Sequence, residues 1–374
     1  MHPRAPLAHV PAEARCAADY AVLARDFLPP ATLAWLEGGS GRDSSAAANL
    51  HAFAEVQIVP RLLRPVQGGH IRCPLAGIER PHPVMLAPLG WQALFHPLAE
   101  RATAMAAAAT GTCFIASTMS SLPLEEIATS APGERWFQLY IQPDRAATAD
   151  LLRRAEQAGY GAIMVTLDTP IQLPSHAAVA ASFTPPTDRP ANLRDYPDPL
   201  PVALQPGESR ILSGLMRSAP GWDDIDWLLR QTSLPLWVKG VMHPGDARLF
   251  VERGVTGIVL SNHGGRSLDG APASLTMLPA VRAAVGEYFP LLFDGGIRSG
   301  TDMFKAIAMG ADAIVVGRLQ AHALAVAGAV GVGHMIRLLC EELEACMALA
   351  GCATLADIRS ADLINSGSAW GTGA

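Results

Sequence analysis

Residues 136–168 read WFQLYIQPDRAATADLLRRAEQAGYGAIMVTLD. Trp136 to Tyr140 is of strand type, and Ala146 to Ala158 is a helical run closed by Gly159, the residue that most readily ends a helix. Ala162 to Leu167 follows, apolar almost throughout, as a strand buried on both faces should be. A strand, a helix and a second doubly buried strand make one unit of a parallel sheet covered by helices. The same texture extends in both directions. Upstream, Val84 to Ala87 is a strand, Leu98 to Ala109 an Ala-rich helix, Cys113 to Ser117 a strand and Leu124 to Ala128 a short helix. Downstream, strands are predicted at 236–238, 257–260, 290–293 and 313–316, with helices near 244–253, 274–286, 301–309 and 331–350.

Eight such units is the count of a TIM (β/α)8 barrel, an α/β fold. An open doubly wound sheet is the rival, and its G-x-G-x-x-G signature after a first strand is absent. The expected organisation is an N-terminal helical extension over 1–80, the barrel over 81–358 and a short tail over 359–374. Residues 169–221, rich in Pro, Ser, Ala and Asp, interrupt the barrel after its fourth strand. A connection this long, on the face where barrel active sites form, reads as a lid.

Composition excludes several classes of function. Of 374 residues, 50% are hydrophobic and 17% charged, so the chain can bury a large core and is not disordered over most of its length. A net charge of −6 without a basic stripe argues against nucleic-acid binding. The six cysteines (16, 73, 113, 340, 346 and 352) show no C-x-x-C pair and no zinc spacing, and read as thiols in a reducing compartment. Met1 to Arg15 lacks the apolar core of a signal peptide, and the most apolar stretch, 323–333, is too short to span a bilayer. These features predict a cytoplasmic protein with no membrane partner.

The chemistry collects at the C-terminal ends of the predicted strands, which a barrel brings to one mouth. Those ends carry Pro88, Ser117, Gln138 with Tyr140, Thr166 with Asp168, Lys239, Ser261 to His263, Asp294, and Gly317 with Arg318. Solvent exposure at strand ends explains a Ser or an Asp; it explains Lys239, His263 and Arg318 less well. Asp294-Gly295-Gly296-Ile297-Arg298 and Val316-Gly317-Arg318 follow the seventh and eighth strands, where barrels often bind phosphate through backbone N–H groups. Ser261-Asn262-His263-Gly264-Gly265-Arg266 places an imidazole three residues from a guanidinium. That spacing suits a general base facing a bound carboxylate.

With that run, the segments Val238-Lys239-Gly240, Phe137-Gln138-Leu139-Tyr140, Thr166-Leu167-Asp168-Thr169-Pro170, Asp294 to Arg298 and Gly317-Arg318 resemble the FMN-dependent L-2-hydroxy acid oxidase/dehydrogenase family. Glycolate oxidase, lactate oxidase and monooxygenase, mandelate dehydrogenase and flavocytochrome b2 belong to it. The resemblance runs from about residue 20 to 358 and is interrupted mainly in the lid. It implies an FMN cofactor and oxidation of a 2-hydroxy acid, with electrons passing to O2 or another acceptor, in a homo-oligomer (tetramer or octamer). It also implies that His263 is the base beside the flavin, that Asp168 stabilises its imidazolium, and that Arg266 and Tyr140 bind the substrate carboxylate or reacting oxygen. Lys239 would support negative charge at the flavin N1/C2 carbonyl. Pro88, Leu89, Gly90, Ser117, Gln138, Thr166 and Ser261 would line the ring system, Asp294 would hold the ribityl chain, and Gly296, Arg298, Gly317 and Arg318 would cradle the phosphate.

Four positions depart from the family pattern. Trp35 stands where a Tyr is usual, Met119 near a usual Trp or Tyr, Ser175 in place of an active-site Arg, and Gly90 where many members have Ala. Fewer polar partners for a small carboxylate, with Trp35 and Met119 on the substrate side, lead to the expectation of a bulky, mandelate-like acid. Two alternatives are an FMN-barrel isomerase acting on a phosphorylated substrate and a flavin-binding barrel that has lost catalysis.

Overall fold

In a computed structural model, which describes residues 3–198 and 202–365, eight parallel strands close into a barrel. They are β4 (Val84–Leu86), β5 (Cys113–Ser117), β6 (Arg135–Leu139), β7 (Ile163–Thr166), β8 (Leu236–Val241), β9 (Gly257–Leu260), β10 (Leu291–Asp294) and β11 (Ala313–Val316). β11 pairs with β4 to complete the ring, Ile314 opposite Val84. Helices α4 (Ala99–Thr110), α5 (Leu124–Ser130), α6 (Arg145–Gln157), α8 (Trp222–Gln231), α9 (Pro244–Glu252), α10 (Ser274–Val285), α11 (Gly300–Ala308) and α12 (Arg318–Ala350) follow the strands in turn. The TIM-barrel expectation holds, with strand bounds within one to three residues of those read from the sequence.

The strands are almost wholly buried, and Trp237, Phe137 and Phe293 are among the largest side chains completely withdrawn from solvent. Full burial of a large apolar side chain contributes about 1.5–3 kcal/mol, so the barrel wall contributes substantially to stability. Trp136 and Trp237 pack with ring centroids 4.7 Å apart. Gly257 on the neighbouring strand makes room for this pair, since a Cβ there would lie 2.2 Å from the Trp237 ring.

Three features differ from the sequence reading. First, the N-terminal segment is not only helical. Beside α1 (Asp19–Leu23), α2 (Pro30–Glu37) and α3 (Ser44–Ala54) it carries β1 (Val56–Ile58) and the antiparallel hairpin β2 (Cys73–Leu75) with β3 (Ile78–Arg80). Three-residue strands are too short to show an alternating pattern. β1 pairs with β12 (Leu363–Asn365), so part of the predicted tail is a strand tied to the N-terminal segment; residues 366–374 of that tail lie outside the described residues. Second, α12 starts at Arg318, well before the predicted 331. Ala327 and Gly328 break its helical dihedrals midway, so the apolar stretch 323–333 contains a kink inside one long packed element. The kink frees the Val326 carbonyl, which accepts the Leu7 N–H at 2.8 Å. By length and composition α12 could cross a bilayer, but 72% of its apolar window is buried inside the protein, as in a core helix. Third, the lid contains helix α7 (His176–Ala180) and further short turns. Asn192 pins it: its amide donates to the Ser117 and Thr118 carbonyls at 3.2 and 3.3 Å and to Ser120 Oγ at 2.8 Å.

Candidate active site

The barrel brings the predicted strand-end residues to one cleft. Its lining includes Pro88, Leu89, Gly90, Ser117, Met119, Tyr140, Lys239, His263, Arg266, Asp294, Gly296, Arg298, Gly317, Arg318 and Trp35. Gln138, Thr166, Asp168 and Ser261 do not line it but sit behind, bonded to or beside members that do.

Ser261, completely buried at the end of β9, is the hub. Its hydroxyl donates to Asp294 Oδ2 at 2.6 Å and accepts from Lys239 Nζ and the His263 backbone N–H, each at 2.9 Å. Lys239 Nζ also lies 2.9 Å from Asp294 Oδ2. Burial disfavours the charged lysine, but Asp294 and Asp168 outweigh it and hold its pKa above the ordinary value. Lys239 is therefore a cation at neutral pH.

His263 Nδ1 meets Asp168 Oδ1 at 2.9 Å. Asp168 is acceptor-only when ionised, so Nδ1 carries the proton, and in the neutral imidazole the lone pair is on Nε2. Burial alone would raise the Asp168 pKa; His263 and Lys239 more than offset it and hold the carboxyl below its usual range. That is the polarity a base needs, because the carboxylate favours the imidazolium formed after proton uptake. His263 has φ +57, an uncommon backbone state for a non-glycine residue. Two contacts fix it. Asn262 and Asn49 exchange amide hydrogen bonds of 2.7 and 3.0 Å, tying the loop to α3. Gly265 packs so closely on α3 that a Cβ would lie 2.4 Å from the Ala46 nitrogen. Gly240, φ +100, likewise leaves room for Asp168, whose Cβ would be 2.5 Å from an added Cβ.

Arg266 is half-buried, and Nη2 donates to the Trp35 and Leu36 carbonyls at 2.6 and 2.9 Å. Burial lowers its pKa to about 10, so it remains a cation at neutral pH. Tyr140 is half-buried as well, its hydroxyl 3.4 Å from Thr169 Oγ1, and desolvation raises its pKa. A neutral phenol beside a guanidinium offers donors to an anionic oxygen.

The cradle differs in one respect from the expectation that both arginines reach phosphate. The Arg318 guanidinium donates to the carbonyls of Leu36, Gly264 and Gly38 at 2.9, 2.8 and 2.8 Å. It locks α2 and the His263 loop together with three of its five N–H donors, and the other two, with its backbone N–H at the start of α12, are left for an anion. α11 is closed by its own capping box, Ser299 with Asp302, whereas α12 has no side-chain cap at Gly317. Uncapped helix N-termini bind anions through their unpaired N–H groups and the helix dipole. Arg298 donates from Nη1 only to the Ile297 carbonyl, leaving the rest of its fork free of protein hydrogen bonds to acceptors described here.

Polar atoms next to the cleft test the fit of FMN. Gln138 Nε2, Thr166 Oγ1 and Asp168 Oδ2 are buried without a hydrogen-bond partner in the protein. Buried polar groups in folded proteins are normally paired. These three stand on the neighbouring ends of β6 and β7, and the carbonyl and ring nitrogens of an isoalloxazine are suitable complements. Together with the phosphate-type end at Gly317, the residues present fit the cofactor.

The family described as FMN-dependent dehydrogenase matches residues 24–365. The chain belongs to that family. The L-lactate oxidase of Alicycliphilus denitrificans (strain DSM 14773 / CIP 107495 / K601) is 58% identical over 343 residues, covering 91% of this chain and 94% of the relative. Glycolate oxidase 1 of Zea mays is 37% identical, covering 92% and 94%. A solved structure of mandelate oxidase with benzoyl-formic acid superposes with a TM-score of 0.84 at 38% identity, covering 94% of this chain and 98% of that one. This member of the FMN-dependent dehydrogenases is accordingly a flavoprotein oxidoreductase of the 2-hydroxy acid oxidase type, and FMN is its cofactor.

Several residues of the cleft carried no signal in the sequence. Phe95, Trp91 and the lid residue Gln172 all line it. Ser175, read as replacing an active-site Arg, instead donates to Asp43 Oδ2 at 2.9 Å and caps α7. The polar lid side chain facing the cleft is Gln172, three residues earlier.

Proposed function

We propose that this chain oxidises a short L-2-hydroxy acid, lactate-like in size, to the 2-oxo acid, with O2 as electron acceptor. The His263–Asp168 pair beside Arg266 carries the reaction type: a base with a free lone pair, a carboxylate behind it and a planar fork for the substrate carboxylate. Bound FMN supplies the two-electron redox chemistry, and the protein binds, orients and moves the proton. In this reading Pro88, Leu89, Gly90, Ser117, Gln138, Thr166 and Lys239 hold the ring, Asp294 the ribityl chain, and Gly296, Arg298, Gly317 and Arg318 the phosphate end.

Substrate size is read from Trp35. The expectation of a bulky acid placed Trp35 on the substrate side. The rings of Phe95 and Phe183 lie nearly parallel to that indole, at interplanar angles of 18° and 10° and centroid distances of 6.1 and 5.0 Å. Arg266 lies over the same ring, 5.0 Å from its centroid. The indole is thus already engaged by the chain's own groups, which favours a small side chain, and the similarity to proteins named L-lactate oxidase supports the same reading. Anaerobic stopped-flow bleaching across glycolate, lactate, 2-hydroxy-octanoate and mandelate tests it. Fastest reduction by lactate or glycolate is expected; fastest reduction by mandelate restores the bulky-acid reading, and reduction by none returns the isomerase or inactive alternatives. A homotetramer or octamer and a cytoplasmic setting complete the proposal, and light scattering on the purified holoprotein checks the first.

Arg266→Lys tests the carboxylate fork. A lysine keeps the charge but has no planar group that can hold the Trp35 and Leu36 carbonyls through Nη2 while Nε and Nη1 remain for the carboxylate. Losing one charge-assisted bond, worth about 1.5–3 kcal/mol, weakens apparent substrate affinity by roughly 10- to 150-fold. An unchanged concentration for half-maximal bleaching removes Arg266 from the substrate site.

A further inference from the structure

Next in the chain to Leu36, and one turn beyond Arg318, both of which line the cleft, stand a carboxylate and an imidazole that the proposed reaction does not use. Glu37 closes α2, and His322 stands one turn beyond Arg318 on the same face of α12. Glu37 Oε1 lies 2.6 Å from His322 Nε2, with the imidazole fully withdrawn from solvent and the carboxylate side chain 45% exposed. The contact is at ion-pair distance but lacks hydrogen-bond alignment, and Nδ1 has no partner. Arg318 straddles Glu37 along the chain through its bonds to the Leu36 and Gly38 carbonyls. Arg298, from the loop after β10, acts on both members of the pair. Asp294 and Arg266 are the other charged groups that face Arg318, and Asp294 is already paired with Lys239.

These groups form a small charge cluster whose balance depends on His322. Burial works against the Glu37 carboxylate, yet His322, Arg298 and Arg318 hold its pKa down at about 2, so it is an anion at neutral pH. Burial pushes the imidazole the other way, towards the neutral form, and the two arginines add to that; Glu37 opposes them. With His322 neutral, Arg266 set against Asp43 and Asp294 against Lys239, the two guanidinium groups of Arg298 and Arg318 exceed Glu37 by one positive charge. A phosphate dianion at the start of α12 reverses the sign, and a single proton on His322 restores neutrality.

We propose that Glu37 and His322 are part of the cofactor-phosphate site, and that binding of a phosphate monoester there draws a proton onto His322, which bridges the Glu37 carboxylate and the phosphate charge. The proposal rests on FMN being held with its phosphate at Gly317–Arg318. It assigns His322 a positioning role towards the cofactor and leaves the substrate chemistry at His263 untouched. No covalent step is involved; one proton moves from solvent to the imidazole.

The test is calorimetric titration of the flavin-stripped full chain with FMN and with riboflavin at pH 7.5, in buffers of different ionisation enthalpy. The second pKa of a phosphate monoester is about 6, so FMN arrives already as the dianion and contributes little proton exchange of its own. Uptake of roughly half a proton or more per FMN, and none with riboflavin, is expected from the linkage between charge and protonation. His322→Gln abolishes the uptake and weakens FMN by about tenfold, the loss of one modest charge-assisted contact. Glu37→Gln also abolishes the uptake but tightens FMN, because it removes an anion facing a dianion. Opposite signs for the two variants separate this role from that of a purely structural ion pair, which would be weakened by both. FMN binding tighter than riboflavin but with no proton uptake, or with both variants weakened, overturns the proposal alone. FMN and riboflavin binding equally well overturns the phosphate site beneath it.

Discussion

His263→Ala is expected to leave the protein folded and yellow while slowing substrate-driven flavin bleaching by at least about a hundredfold, the lower end of what general acid–base catalysis contributes. The folded state should survive because the loop is fixed by groups other than the imidazole: the Asn49–Asn262 exchange and the bond from the His263 backbone N–H to Ser261. What disappears is the lone pair at Nε2 and the link from it to Asp168. The carboxylate is left near Lys239, which supplies a counter-charge but cannot accept a proton from the substrate while it is itself protonated. Single-turnover bleaching without oxygen isolates this step from reoxidation. Bleaching near the parent rate would remove His263 from the role of base. A colourless variant would show instead that the imidazole ring is needed to hold the flavin.

The barrel was legible because its signal is repeated. Eight apolar runs, each followed by a helical segment, agree with one another, and boundary errors of a residue or two at β6 or β7 leave the architecture unchanged. The site was legible for a related reason: strand ends converge in a closed barrel, so Lys239, His263 and Asp294 could be placed together before any distance was known. What escaped was whatever depends on contacts between distant segments without a periodic trace. Asn49 on α3 and Asn192 in the lid are single amides whose partners lie 213 and about 70 residues away. The β1–β12 pairing joins residues near 57 and 364 through strands of three residues. Trp35 illustrates a different gap. Its identity was visible in the sequence, but whether its ring was free for a substrate depended on Phe95 and Phe183, which approach it from separate parts of the chain. Arg318 is similar: the Gly-Arg pair marked the end of the eighth strand, but that α12 begins there, and that the guanidinium points towards backbone carbonyls around the end of α2, was set by packing.

Lys239→Met is expected to destabilise the flavin-free protein by about 3–5 kcal/mol, the usual consequence of removing one partner from a buried ion pair. Lys239 is 3% exposed, and its ammonium meets Asp294 and Ser261 at 2.9 Å each. Methionine fills a similar volume, so a packing defect is not the main cost; the cost is an Asp294 carboxylate that keeps the Ser261 hydroxyl as donor but loses its counter-charge. The second carboxylate in range, Asp168, keeps His263 at 2.9 Å and loses only a more distant cation. Urea unfolding of the apoprotein measures the effect, and the double variant Lys239→Met/Asp294→Asn assigns it. If the penalty comes from an uncompensated charge, neutralising Asp294 as well recovers most of the lost stability, since replacing both members of a buried pair is often close to neutral. Purely additive losses in the two variants would show that Lys239 and Asp294 act independently despite their contact. Recovered stability without recovered substrate-driven bleaching, once FMN is restored to the double variant, separates the two tasks of Lys239: balancing Asp294 beneath the site, and presenting a cation to the flavin at its mouth.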